Sequence, residues 1–274
     1  MSLVASVTIT LAAQTNPETA FDAVSIKPSR MWVNRPVDNF NLKVIKDIAH
    51  ASVHGRLGIP SVTANVLIQL AYNVADFQIR QAPAWSLSER YDVEAKAVGN
   101  LAFKQMQPLL QTLLAERFRL KLHTESIELP AFELVMSESR PRMLPAKQGS
   151  CVQADMSTPV SSDRACGLVL TFASRGVLRI EARGVTLQVL ADELTDQLHK
   201  SVYDKTGLAA TFDFNLDFRP PDLLDNIAVL PTNDDSGGPT IFQAITKQLG
   251  LRLRSIKAPT DVLVIDHIEK PSAN

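Results

Sequence analysis

The residues with the clearest potential for chemistry are His50 and His54, in the segment IKDIAHASVHG. On a helix, histidines four positions apart place both imidazoles on one face, with Asp47 nearby, and such a group can begin a zinc site. The chain has no H-E-x-x-H sequence, the spacing of the common zinc peptidases. The alternative is a polar helix face that ends at Gly55. The two histidines are therefore the metal-ligand hypothesis, and we expect no other cofactor.

Two aromatic residues could bind a ligand by stacking. Trp85, in the segment APAW, and Tyr91 would stack on a sugar or a peptide if their rings were exposed, and would otherwise belong to the core. The sequence contains no G-x-S-x-G, no S-x-x-K and no glycine-rich phosphate-binding motif. It therefore identifies no catalytic residue.

Both cysteines, Cys151 and Cys166, enclose a short segment rich in Ser, Pro and Asp, which is typical of a surface loop. In an exported chain the simplest outcome is one disulfide that restricts this loop. The alternative is a pair of unrelated thiols. Neither cysteine belongs to a C-x-x-C motif, so redox or metal chemistry is not indicated.

Composition excludes several classes of protein. The 274 residues are 45% hydrophobic and 21% charged, with 28 Lys and Arg against 29 Asp and Glu, which indicates a folded protein without affinity for nucleic acid. No apolar run reaches the roughly 20 residues of a transmembrane segment. Residues 3–13 are apolar, uncharged and end in small residues, which predicts a signal-peptide remnant over 1–14, although a basic residue is missing before it. We therefore expect an exported protein; the alternative for this segment is an edge strand.

The two halves of the sequence repeat one pattern. The segment SVTANVLIQLA at 61–71 matches GVTLQVLADEL at 184–194, and each places a threonine where a helix N-cap belongs. A second helix pair is predicted at 105–118 and 237–250, with Pro108 and Pro239 in the first turn. After each helix we expect a β-hairpin.

These elements predict an α+β fold made by internal duplication of a β-α-β-β-α-β-β module, with two small sheets each covered by helices. The first module spans 21–136 and the second 168–274. Residues 137–167 form a connector loop that holds both cysteines. Residues 28–56 have no counterpart in the second half.

Five ordered blocks carry a resemblance to a known family. They are FDAVSIKPS; LIQLAYNVADFQI followed by APAW and ERYDVEAKA; LLAERFRLKLHTESIELPAFELVM; SVYDKTGL with TFDFNLDF; and KAPTDVLVIDHIEKPSAN. Over about residues 21–274 the sequence resembles the soil-associated protein family, a set of exported proteins of soil bacteria built on a domain of unknown function. The resemblance implies export but no activity, substrate or catalytic residue. Similar domains extend membrane metallopeptidases of the beta-lactam-sensor type. The half-modules also resemble a short domain of secretins and TonB-dependent receptors.

Three functions follow as hypotheses. The first is a non-catalytic ligand-binding or sensory domain of the cell envelope, whose partner is a small molecule, a glycan, a peptide or an envelope protein. The second is a secreted hydrolase of envelope or soil polymers, with carboxylates or the histidine pair as catalysts. The third is an envelope assembly module that pairs strand edges, which an uncovered, uncharged edge strand would favour.

Overall fold

The computed structural model describes residues 20–30, 49, 54–147, 149, 151, 166–174, 177–219 and 238–271. They fall into two compact units: unit 1 ends at Thr124 and resumes at Leu263, and unit 2 runs from Glu125 to Val262. His50 lies outside the described residues, as does the predicted signal remnant at 1–14.

The elements of unit 1 begin with β1. In chain order they are β1 (Ala23–Pro28), β2 (Arg56–Thr63), α1 (Ala64–Tyr72), β3 (Ile79–Arg80), α2 (Ala84–Ser88), β4 (Arg90–Lys96) and α3 (Phe103–Arg117). The three longer strands form an antiparallel sheet in the order β1-β4-β2. Alternate residues of β4, among them Val93 and Ala95, are buried with the apolar faces of α1 and α3, because a strand directs successive side chains to opposite faces.

The elements of unit 2 follow a long strand, β5 (Lys121–Met136). They are β6 (Leu144–Pro145), β7 (Leu168–Ser174), β8 (Val177–Val185), α4 (Leu187–Leu198), β9 (Val202–Asp204), β10 (Phe212–Phe218), α5 (Ile241–Ala244) and β11 (Leu251–His267). A π-helical turn, Ile245–Leu249, extends α5. Four strands form an antiparallel sheet in the order β6-β10-β8-β7.

The sheet of unit 2 has one buried and one outer face. Leu178, Ile180 and Ala182 of β8 are buried with α4 in the core, and the residues between them face the other way. Burying a side chain of this size contributes about 1.5–3 kcal/mol to stability. This face therefore carries the core of the unit, and the opposite face, called here the outer face, carries the residues between the buried ones.

The predicted hairpins are wrong, because β5 and β11 are single strands of 16 and 17 residues. Each passes from one unit into the other. They are neighbours in a sheet of order β3-β11-β5-β9, in which the two short strands pair in parallel with the long ones. Each compact unit therefore includes the end of the other half's last strand. The modules at 21–136 and 168–274 stay a prediction.

The α+β class is confirmed, with helices packed on small sheets. Thr63 and Thr186 are the N-cap residues of α1 and α4, as their positions predict, and the Thr63 hydroxyl accepts a hydrogen bond from the Val66 N–H. Pro108 is not in the first turn, because α3 begins at Phe103. The internal duplication stays a prediction.

Candidate functional site

The candidate site is the outer face of the unit 2 sheet, and it begins at a bulge in β8. Between Ala182 and Val185, β8 has one residue more than the facing segment of β10, and Asp213 lies opposite this bulge. The Asp213 carboxylate accepts a hydrogen bond of 2.7 Å from the N–H of Gly184, whose φ is +59°. Glycine adopts this left-handed conformation without a steric penalty, so the bulge is well matched to its sequence.

An open depression of about 440 Å³ lies beside the bulge. The residues that line it are Glu181, Ala182, Arg183, Asp213, Phe214 and Asn215. Its polar lining comes from the outward residues of β8 and β10. Next along the strands, Arg179 and Asp217 form a bidentate ion pair with N–O distances of 2.6 and 2.7 Å. The Arg179 hydrogen bonds lower the pKa of the Asp217 carboxyl. The centre of the outer face therefore carries charged side chains, of which Arg179 and Asp217 are paired with each other.

The margin of this face is β7, whose sequence LVLTFAS contains no charged residue and no proline. Among the described residues β7 pairs with β8 alone and stands at the end of the strand order. Leu170 and Phe172 lie opposite Glu181 and Arg179, so both belong to the outer face, and Phe172 is 47% exposed. The edge of β7 is therefore uncharged, exposes the Phe172 side chain and has no strand paired beyond it among the described residues.

The disulfide predicted between Cys151 and Cys166 is confirmed, with an S–S distance of 2.06 Å. It lies directly before β7, where the Gly167 N–H donates to the Arg183 carbonyl. A Cβ added to Gly184 would lie 2.8 Å from the Cys151 sulfur, so the disulfide packs against the bulge. The disulfide therefore lies between the start of the edge strand and the bulged part of β8.

The two aromatic residues of the stacking hypothesis lie in unit 1. Tyr91 is 5% exposed and packs edge-on against Phe118, with the ring centres 5.8 Å apart. This packing leaves the Tyr91 ring no free face for a ligand. Trp85 is partly buried against the core of unit 1. Of the two, Trp85 is the less buried, and stacking there stays a prediction.

The hydroxyl of Tyr91 belongs to a small polar cluster. It donates to Glu89 over 3.1 Å, and Glu89 also forms an ion pair with Lys270. The Lys270 hydrogen bond lowers the pKa of the Glu89 carboxyl, whereas burial and the Glu89 hydrogen bond raise the pKa of Tyr91 to about 12. Both changes favour a charged Glu89 and a neutral Tyr91 at neutral pH.

The histidine of the metal hypothesis that the structure describes, His54, lies in a turn before β2 and not in a helix. Its φ is +57°, and its Nδ1 is 2.9 Å from the Asn100 side-chain oxygen. Within the described part of the chain, no three His, Cys, Asp or Glu side chains are grouped to hold a metal ion. His54 therefore does not lie on the helix that the metal hypothesis requires, and His50 lies outside the described residues.

A second histidine contact joins His123 and Asp266, whose Nδ1 and Oδ1 atoms are 2.9 Å apart. Both side chains are about half exposed. Water competes for such surface contacts, so this pair contributes little to stability.

The strands that build the outer face were not all predicted from the sequence. The hairpin of β7 and β8 and the short strand β6 were missed, although a period-2 signal is present. In VLRIEARGV, the buried residues Leu178, Ile180 and Ala182 alternate with charged ones. That alternation is the pattern of a half-buried strand and could have located the sheet.

Within the described residues, no helix has the length and apolar character that crossing a membrane requires. No curated protein and no solved structure matches the chain significantly. A family model described as a protein of unknown function, DUF3738, matches residues 65–268. Because this match covers most of the sequence, the chain belongs to the DUF3738 family.

Proposed function

We propose that the protein is a non-catalytic binding protein of the cell envelope, and that it binds by accepting an extended segment of another polypeptide along β7. The observation that carries this proposal is the uncharged, proline-free edge strand at the margin of the outer face. Adding a strand to such an edge is an established mode of peptide recognition, in which main-chain hydrogen bonds supply affinity.

Edge strands in natural proteins are usually protected, because their unpaired N–H and C=O groups attract other strands. Charged side chains and proline are two common protections. The outer strands of the unit 1 sheet carry both: β1 contains Lys27 and Pro28, and β2 contains Arg56 and Pro60. Since β7 has neither, its edge is the best suited to accept a partner strand among the edges of the two antiparallel sheets.

The side chains beside this edge favour a particular kind of segment. A strand added to β7 would place alternate side chains on the outer face, next to Leu170 and Phe172. These neighbours are apolar, so apolar residues at every second position of the segment would gain the most contact. The partner is thus an extended, alternating segment and not a compact ligand.

Export supports a partner in the envelope. The apolar start of the sequence resembles a signal peptide, and the Cys151–Cys166 disulfide is compatible with an oxidising compartment. The resemblance to exported soil-associated proteins favours the same location.

The test uses two matched double variants of the full chain. Leu170→Lys with Phe172→Glu places charge on the edge while keeping each new charge opposite its complement, Glu181 or Arg179. The control is Leu87→Lys with Val98→Glu, which makes the same changes in type at two side chains of unit 1 that are 49% and 55% exposed.

The probe is a display library of random peptides, followed by affinity measurement of the enriched sequences. We expect alternating apolar peptides that bind the wild type and the control equally and lose at least about tenfold in affinity for the edge variant. Equal binding to the edge variant, or no enriched peptide, would contradict the proposal. Circular dichroism of both variants verifies that they are folded.

A further inference from the structure

We infer that the segment accepted by β7 is the β7 of a second copy of this chain, which makes the protein a symmetric dimer with one continuous sheet across the two copies. This inference rests on the proposed function, because it names the occupant of the same edge. It follows from the order of residues in β7 and from the side chains that its pairing would bring together.

The residues of β7 complement one another in an antiparallel arrangement. In an antiparallel pair centred on Thr171, residue 171 lies opposite residue 171 of the second copy. Residue 170 of each copy then lies opposite residue 172 of the other. On the outer face each Phe172 would therefore meet a Leu170 of the other copy. Aromatic–aliphatic and Thr–Thr pairs are both favourable across strands. The apolar side chains left exposed in one copy thus cover those of the other.

Charge supports the same occupant. A twofold axis brings identical groups together, so a charged edge strand risks repulsion between the two copies. The seven residues of β7 carry no charge. The nearest cation on the outer face, Arg179 opposite Phe172, is already paired with Asp217 of its own copy. The strand itself therefore brings no charge to its mate; beside it, Glu181 lies opposite Leu170, and Glu193 of α4 accepts a hydrogen bond of 3.3 Å from the Thr171 hydroxyl.

A twofold pairing also makes a prediction about single cysteine variants. Thr171→Cys would place two thiols opposite each other at the symmetry axis, at a separation that a disulfide can span. Leu170→Cys and Phe172→Cys are matched controls, because each would face a different residue of the second copy. All described cysteines of the wild type are already paired, so the new thiol is the one available for cross-linking.

The experiment combines sedimentation equilibrium of the full chain with mild oxidation of the three cysteine variants. We expect a dimer for the wild type and for Leu87→Lys with Val98→Glu, and a monomer for Leu170→Lys with Phe172→Glu. We expect a covalent dimer for Thr171→Cys and at least about tenfold less for the two controls.

Each other outcome overturns the inference in a distinguishable way. A wild type that is monomeric over a roughly hundredfold range of concentration excludes self-pairing. If such a monomer still captures peptides and the edge variant does not, the proposed function stands without the dimer. A dimer that survives the edge variant, or equal cross-linking of all three cysteines, places the dimer contact elsewhere. A monomer that captures no peptide contradicts both proposals.

Discussion

The two units use the same bulge and secure it differently. In unit 1, β2 has an extra residue opposite Asp92. The Asp92 carboxylate accepts a hydrogen bond of 2.8 Å from the N–H of Ser61, whose φ is +53°. In unit 2, the Asp213 carboxylate accepts a hydrogen bond of 2.7 Å from the N–H of Gly184, whose φ is +59°. Each bulge stands two residues before the threonine that caps the next helix.

The two units differ in the second contact that is made to the bulge. In unit 1 the buried guanidinium of Arg90 donates to the Ser61 carbonyl over 2.9 Å. In unit 2 the disulfide packs on Gly184, which has no side chain to obstruct it. The strand paired beyond the unit 2 bulge, β7, then follows directly from Cys166. The same type of bulge therefore contacts a buried arginine in unit 1 and a disulfide next to an edge strand in unit 2.

The largest effect is expected from exchanging the two bulge residues. Gly184→Ser should lower the free energy of unfolding by about 3 kcal/mol, because a Cβ there is strained at positive φ and meets the Cys151 sulfur at 2.8 Å. Ser61→Gly should stay within about 1 kcal/mol of the wild type, since glycine accepts this φ. Urea unfolding measures both.

A cysteine-free background sharpens this comparison. With Cys151→Ala and Cys166→Ala present, the cost of Gly184→Ser should fall to about 1 kcal/mol, because positive φ alone remains. An unchanged cost would show that the disulfide is not what excludes a side chain at this bulge.

The next effect concerns Arg90. Replacing it by methionine removes the donor to a buried carbonyl and should destabilise the protein by about 2 kcal/mol. Thr211, at the corresponding place before β10, is exposed, and Thr211→Met should change stability by less than about 0.5 kcal/mol. Equal losses in chemical denaturation would mean that the units do not differ in this contact.

The stability of unit 1 should depend on pH through Tyr91. The residue at the corresponding place in unit 2 is Phe212, which does not titrate. Folding raises the pKa of Tyr91 to about 12, so the folded state holds its proton more tightly than the unfolded state. Stability from this group is present below its unfolded pKa near 10 and is lost as pH rises towards 12, by about 1–2 kcal/mol. Comparing wild type with Tyr91→Phe in urea at pH 9 and pH 11 measures it. A difference between the two proteins that does not change with pH would contradict the assignment.

The smallest effect is expected on the helices after the bulges. In α1 the side-chain oxygens of Asn65 and Gln69 are buried and have no hydrogen-bond partner among the residues that the structure describes. At the matching positions of α4, Gln188 donates to Asp192 over 2.9 Å at the surface. Gln69→Leu should therefore raise the free energy of unfolding by up to about 1 kcal/mol, and Asp192→Leu should lower it by about 0.3 kcal/mol. Thermal unfolding tests both, and a loss for Gln69→Leu would indicate a bound water at its oxygen.

The parts of the fold that depend on local pattern could be predicted from the sequence. The helical spacing and the N-cap threonines located α1 and α4, and the short loop between the cysteines predicted their disulfide. The long strands could not be predicted in this way, because Pro130 and Pro259 are typical of a break between two strands, whereas each lies within one strand. Proline lacks a backbone donor but is tolerated in a strand where no partner needs that donor.

The candidate site was harder to predict, because an edge is a property of the sheet and not of the strand. The sequence LVLTFAS is equally typical of a fully buried strand in the middle of a sheet. Its position beside β8 depends on contacts across the tertiary fold. The hypothesis of strand-edge pairing stays a prediction, and no residue pattern in the sequence could place such an edge at β7.

The most direct test of strand addition is hydrogen–deuterium exchange of the β7 amides in the full chain, over a roughly hundredfold range of protein concentration and with saturating selected peptide. We predict that protection of residues 168–174 rises with concentration or with peptide, while the amides of β1 and β2 are unchanged. It should not rise in Leu170→Lys with Phe172→Glu. Exchange of β7 that is the same under all these conditions would contradict the claim that β7 accepts a strand from another chain.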